Sequence, residues 1–180
     1  LASPRLYLDH AATTPLHPAA RAAMADALEH WANPSSPHAE GRAARAALED
    51  ARARIGRALG YGGTIIFTSG ATEAIEIALR RAKPEGRFIS AVEHDAVRRA
   101  APNASVLPVD GDGLVGALPE AAQGALVAVQ TVNNETGLIQ PLDRIGEDVR
   151  GAGGLLLADC AQSAGKRALP DADFIALSAH

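Results

Sequence analysis

The residues able to do chemistry sit in short polar runs, and each run follows an apolar or β-branched stretch. "TSGATE" (Thr68 to Glu73) sets the hydroxyls of Ser69 and Thr72 around a glycine. "EHDAV" places His94 after Glu93, "NNETG" runs from Asn133 to Gly137, "DCAQ" runs from Asp159 to Gln162, and "SAH" closes the chain at Ser178 to His180. In the first run a glycine permits a tight turn and a helical pattern begins. Free backbone N–H groups and the helix dipole at such a place favour an anion. The same residues equally describe an ordinary cap, with Ser or Thr and Glu73 satisfying the first turn unaided. The imidazole of His94 suits proton transfer near neutrality, and it also suits a cap or an exposed surface. Taken singly, "NNETG" is a turn, Asp159 a helix cap and Cys160 a small buried side chain.

Other chemistries have little support. No Gly-Lys-Ser/Thr follows "TSGATE", so it is not a P-loop, and it is not the dinucleotide G-x-G-x-x-G fingerprint. The six histidines include no H-x-x-x-H pair and a single cysteine makes no thiolate cluster, which argues against a metal centre. A Ser-His-Asp hydrolase lacks its G-x-S-x-G elbow.

The elements that must position these runs follow from periodicity. Pro18 to His30 has a helical pattern, with Ala22, Met24, Leu28 and Trp31 as expected buried positions. "NPSSPH" is a loop, and Ala39 to Leu59 is a long helix with Ala44, Ala47, Leu48, Ala51, Ile55 and Leu59 on one side. Gly60-Tyr61-Gly62-Gly63 ends it. Beyond that point strands alternate with helices. "TIIFT", "RFISAV", "SVLPVD", "GALVAVQTV", "GLLLAD" and "DFIALS" read as strands. "SGATEAIEIALRRA" and "HDAVRRAA" read as helices, and "PLDRIGEDVRGAG" contains another with Pro141 in its first turn. Several strands are apolar throughout, as in sheets buried on both faces. The expected class is therefore α/β, a mainly parallel sheet covered by helices after an N-terminal helical segment. In such sheets ligands bind at the carboxyl ends of the strands, where the polar runs fall.

Composition narrows the partners. Apolar residues make up 47% of the 180, inside the globular range. A net charge of -4, a pI near 5.8 and interleaved acids and arginines argue against a nucleic-acid or membrane-surface binder. One cysteine permits no intrachain disulfide, no run is long and apolar enough to span a bilayer, and the N-terminus lacks signal-peptide features. A soluble cytoplasmic protein is the expectation.

The runs in combination resemble a known family. "YLDHAATTPLHP", "NPSSPHAEGRAAR", "IIFTSGATEA", "EHDAV", "NNETG", "ADCAQSAG" and "SAH" match, in order and spacing, the cysteine desulfurases, pyridoxal-phosphate enzymes of the class V aminotransferase group. The resemblance implies the type I fold of that group. It also implies an N-terminal segment (1–63) with active-site loops and an incomplete large cofactor-binding domain (64–180), with a smaller C-terminal domain outside this chain. By resemblance, Ala71 and Thr72 hold the cofactor phosphate together with Ser178 and His180, and Asp159 pairs with the pyridine nitrogen. Gln162 and Asn134 bond the phenolic oxygen, and His94 stacks on the ring and moves protons.

The implied reaction removes sulfur from L-cysteine. It gives L-alanine and an enzyme persulfide for an acceptor such as an iron-sulfur scaffold protein, in an enzyme that is commonly a homodimer. In the family the Schiff-base lysine directly follows the His of "SAH", and the persulfide cysteine lies in the later half; neither Lys166 nor Cys160 matches them. The expectation is a piece of a longer desulfurase. The alternatives are a selenocysteine lyase or another class V enzyme, and a non-catalytic fragment or binding subunit. Ala179 stands where Gly or Ser is commoner, and Cys160 where a small or hydroxyl residue is usual.

Overall fold

The structure, a computed structural model, describes residues 6–179. By contacts the chain divides into two compact units, Leu1–Ile65 and Ile66–His180.

In the first unit, α1 (Pro18–Glu29) starts with proline at its first position, where the missing N–H is no loss. His17 caps it by accepting from Ala19 N at 3.2 Å. The expected burial on this helix does not occur: no residue of α1 is buried, Ala22, Met24 and Leu28 are exposed, and Trp31 beyond it is 86% exposed. Periodicity identifies the apolar side of a helix, but it does not supply a partner to cover that side. α2 (Ala39–Leu59) forms over the expected span. His38 caps it through Nδ1 to Gly41 N at 3.2 Å. Ala44, Ala51, Ile55 and Leu59 are half-buried, whereas Ala47 and Leu48 are exposed. Gly60 then takes φ 64°, and Tyr61 N closes the end on Gly56 O at 2.8 Å. That left-handed position is why a glycine stands there.

The second unit is a five-stranded, wholly parallel sheet. Its strands are β1 (Arg87–Ser90), β2 (Ser105–Leu107), β3 (Leu126–Gln130), β4 (Leu155–Asp159) and β5 (Phe174–Ala176), in spatial order β2-β1-β3-β4-β5. The helices are α3 (Ala71–Arg81), α4 (Asp95–Ala100) and α5 (Leu142–Gly151). β3 is buried at every position, as its continuous apolar run requires. Alternate residues serve opposite faces. Leu126, Ala128 and Leu157 pack with Ile75 and Leu79 of α3 and Val97 of α4. Val127, Val129, Leu156 and Ala158 pack with Leu142, Ile145 and Val149 of α5.

Three local expectations change. "TIIFT" forms no strand: Thr64–Thr68 joins no ladder, and Ile66 is 71% exposed. β-branched sequence favours extension, but a strand also needs a neighbour to receive its backbone hydrogen bonds. β2 stops at Leu107 because Pro108 has no N–H to donate. Pro141 occupies the N-cap position of α5 rather than its first turn. Among the described residues no helix is long and apolar enough to cross a membrane.

Candidate functional site

Arg87, the first residue of β1, donates from Nε to Leu79 O at 2.6 Å and from Nη2 to Ala82 O at 3.0 Å. The carboxyl end of α3 is thereby tied to the amino end of the sheet, so the helix runs antiparallel to the strands. Its 11 residues span about 16 Å, which brings Ala71 and Thr72 to the carboxyl edge.

The first turn of α3 is not capped as the sequence allows. Gly70 is the N-cap and no side chain bonds into the turn. Thr68 Oγ1 donates to Gly70 O at 2.9 Å, and the Glu73 carboxylate accepts from Ser69 N at 2.6 Å. That amide bond holds the Glu73 carboxyl below its ordinary range. Glu73 thus serves the residue before the turn. The opening N–H groups of the helix have no intrahelical carbonyl to meet, which is the arrangement an anion needs.

Four strand ends deliver the other residues to the same edge. Beyond β1, His94 is exposed and caps α4, its Nδ1 accepting from Ala96 N at 3.1 Å. A neutral ring bonded this way carries its proton on Nε2. Just before it, Glu93 is 5% exposed. Its Oε1 accepts from Ser90 Oγ at 2.5 Å and from Gln130 N at 2.9 Å, while Oε2 has no hydrogen-bond partner. Burial pushes the Glu93 carboxyl up to about 7, and nearby Asp159 adds to the shift.

Beyond β3, the buried residue is Asn133 rather than Asn134. Asn133 Oδ1 accepts from Glu135 N at 2.9 Å, Thr136 N at 2.8 Å and Thr136 Oγ1 at 3.1 Å, and Nδ2 donates to Val92 O at 3.1 Å. Gly137, with φ 74°, closes this turn on Asn133 O at 2.9 Å. Asn134 is half-buried and donates from Nδ2 to Glu135 Oε1 at 2.7 Å. At the end of β4, Asp159 is buried and its Oδ1 accepts from Ala161 N at 2.9 Å. Its carbonyl accepts from both Thr131 N and Thr131 Oγ1 at 2.8 Å. Gln162 follows, half-buried. Cys160 is fully buried, and burial pushes its thiol up. Ser178, beyond β5, is half-buried; the His180 expectation lies outside the described residues.

His94, Asn134, Asp159, Gln162 and Ser178 therefore follow β1, β3, β4 and β5 at one edge, with Ala71 and Thr72 above it. Sequence reasoning placed Glu93 and Asn133 in the polar runs without giving them a role, and it passed over Gln130 and Thr131. The first of the paired asparagines in "NNETG", three residues before a threonine, is the local signal of the Asn133 turn. Among the described residues no group of His, Cys, Asp and Glu is arranged to hold a metal ion.

Comparison with known proteins gives one consistent result. The family model described as aminotransferase class-V matches residues 6–180. A cysteine desulfurase of Cereibacter sphaeroides is 38% identical over 98% of this chain and 52% of its own length. An IscS-like cysteine desulfurase of Mycobacterium tuberculosis is 39% identical over 89% of this chain and 47% of its own. The crystal structure of a NifS-like protein from Rickettsia africae superposes with a TM-score of 0.87 at 31% identity, covering 97% of this chain and 54% of that one. A structure titled SspA in complex with cysteine matches at a TM-score of 0.82 and 27% identity, over 97% of this chain and 57% of that chain. The chain spans about half the length of the curated relatives it matches.

Proposed function

This chain belongs to the class-V aminotransferase family, and from that premise we propose that it forms the cofactor-cradling part of a pyridoxal-phosphate-dependent cysteine desulfurase. The reaction takes sulfur from L-cysteine and leaves L-alanine and a protein persulfide. The observation that carries this reading is the pairing of an uncapped helix N-terminus with a buried carboxylate at one sheet edge, Ala71 and Thr72 on one side and Asp159 on the other.

The donor set fits the cofactor. A phosphate needs several donors and no competing carboxylate. The N–H groups of Ala71 and Thr72 and the hydroxyls of Thr72 and Ser178 supply them, and His180 adds another donor. A protonated pyridine nitrogen needs a carboxylate kept ionised. Asp159 would supply that carboxylate, its Oδ1 held in place by the Ala161 amide. The phenolic oxygen needs donors, and the side-chain amides of Gln162 and Asn134 supply them. Asn134 has a second Nδ2 hydrogen beyond the one given to Glu135. When bound, the cofactor supplies an electron sink for bond changes at the substrate.

His94 would stack on the cofactor ring and move a proton. With Nδ1 engaged by Ala96 N, the neutral imidazole presents Nε2–H as a hydrogen-bond donor. The lone pair that can take up a proton is the one at Nδ1, so the ring would act as a base when the Ala96 bond is released and as an acid once it is the imidazolium. The persulfide cysteine is a residue other than Cys160, which is buried and whose thiol is held protonated. A second copy of the protein and a sulfur acceptor such as an iron-sulfur scaffold complete the system, in the cytoplasm.

The test uses the complete protein supplied with pyridoxal phosphate and L-cysteine. Bound-cofactor absorbance and alanine released in step with acceptor-bound sulfur are expected. A protein that binds the cofactor yet forms no alanine overturns the desulfurase assignment, and one that binds no cofactor overturns the cradle as well.

A further inference from the structure

Glu93 has no role in the proposed reaction, yet it is buried just beyond β1 and bonded to the end of β3. Chain order reverses at β1, which has β2 on one side and β3 on the other, and ligands of open α/β sheets bind at such a reversal. Glu93 leaves the end of β1 and bonds across to Gln130, the last residue of β3. Gln130 is in turn the register partner of Asp159 on β4. Around this link Gln130 Nε2 donates to Val92 O at 2.5 Å and Asn133 Nδ2 to the same carbonyl at 3.1 Å. The turn that carries His94 is thereby pinned to the end of β3.

The hydrogen bonds also assign the proton. Both donors that reach Glu93 converge on Oε1, and Oε2 is buried with no partner. An ionised oxygen left so in the interior is costly, and protonation removes the buried charge although the O–H then lacks an acceptor. The charged groups that act on Glu93 are Asp159 from β4, which opposes its ionisation, and Arg98 from α4, whose effect is the smallest. The Arg98 guanidinium is engaged by Ala91 O.

We propose that Glu93 is a positioning acid whose buried carboxyl ties the His94 turn to β3 and, in its neutral form, leaves Asp159 the one charged member of this buried pair of acids. The importance of that single charge rests on the proposed cofactor role of Asp159; the link itself does not. Two carboxylates ionised side by side would compete for protons and donors. A glutamine in place of Glu93 keeps the acceptor for Ser90 and Gln130 and puts an amide where the hydroxyl stands.

The test has one arm that needs no cofactor. Melting temperature is followed against pH for the cofactor-free complete protein and for Glu93→Gln, Asp159→Asn and Ser90→Ala. The wild type is expected to lose heat stability as pH rises from about 4.5 to about 7, and Glu93→Gln to lack that loss. Asp159→Asn moves it to lower pH by removing the repelling charge. Ser90→Ala moves it to higher pH by removing a donor that favours the ionised form. In the second arm, Glu93→Gln retains cofactor affinity and the pH-independent part of kcat/KM, while Glu93→Ala loses both.

A wild-type profile identical to that of Glu93→Gln, or a transition that neither neighbour moves, overturns the proposal. So does a Glu93→Gln protein that folds but no longer holds the cofactor. If no variant of any kind shows desulfurase activity while the melting transitions shift as stated, the assignment of the reaction fails and the positioning acid stands. Should Glu93→Ala not accumulate, the Ser90 and Asp159 variants decide the matter.

Discussion

Gln130 N donates to Glu93 Oε1 across the crevice between β1 and β3, at 2.9 Å and over 37 residues of sequence. The bond joins a backbone group of one strand end to a carboxyl on the turn that leads into His94. It fastens the His94 turn to the end of β3 through a single buried acid.

Stability should therefore depend on pH through Glu93 with a definite sign. Its carboxyl rises from the ordinary 4.5 to about 7 on folding, so between those values the folded state binds more protons than the unfolded one. The contribution is fully present below the lower value and is lost as pH rises through the upper one. The span corresponds to roughly 3–4 kcal/mol at most. Urea unfolding of wild type and Glu93→Gln at acid and alkaline pH checks it. The difference should favour the glutamine variant only on the alkaline side.

His94 caps α4 and, in the proposed function, moves a proton, and substitutions separate the two. Alanine removes the cap to Ala96 N and should cost about 1 kcal/mol. Asparagine, a good N-cap, should restore most of that stability and none of the proton transfer. Cofactor should remain bound in both variants while turnover falls severely. Near-wild-type turnover in either would count against the proposed role.

For Asp159→Asn, the expected result is a changed absorption spectrum of bound cofactor and slower turnover, because a neutral amide holds a pyridinium poorly. The carbonyl contacts to Thr131 are backbone and should survive. A spectrum and rate equal to wild type would refute the pairing.

Asn133→Ala should destabilise the protein by about 1–3 kcal/mol, since three donors lose the acceptor Oδ1. Asn133→Asp keeps the acceptor but sets a buried carboxylate oxygen against Val92 O, so it should destabilise as well, and more at alkaline than at acid pH. Denaturant unfolding gives the energies. Amide exchange at Glu135 and Thr136 shows whether the loss is local.

Cys160 should resist alkylation in the native protein and react after unfolding, because it is fully buried and its thiol is held protonated. Peptide mapping after iodoacetamide treatment reads this directly. Rapid native modification would contradict the burial.

What the sequence by itself determined is the part of the protein governed by near neighbours. Alternating apolar runs and helical periodicities specified the parallel α/β class, the span Ala39–Leu59 and its stop at Gly60. The strand-end positions of His94, Asp159 and Ser178 followed from the same alternation. Where a residue's fate depended on a distant partner, sequence could not decide. Thr64–Thr68 has strand composition but no adjoining strand, and Met24, Leu28 and Trp31 have the right spacing but no cover.

The same limit hid Glu93 and Asn133. Read locally, one is an acid before a histidine and the other is half of an asparagine pair. Only the parallel register, which sets Gln130 beside Asp159 and the β1 turn beside Gln130, turns them into a buried acid and a loop anchor. Burial and hydrogen bonding across strands are pairwise properties of the folded chain. A single residue's type constrains them without determining them.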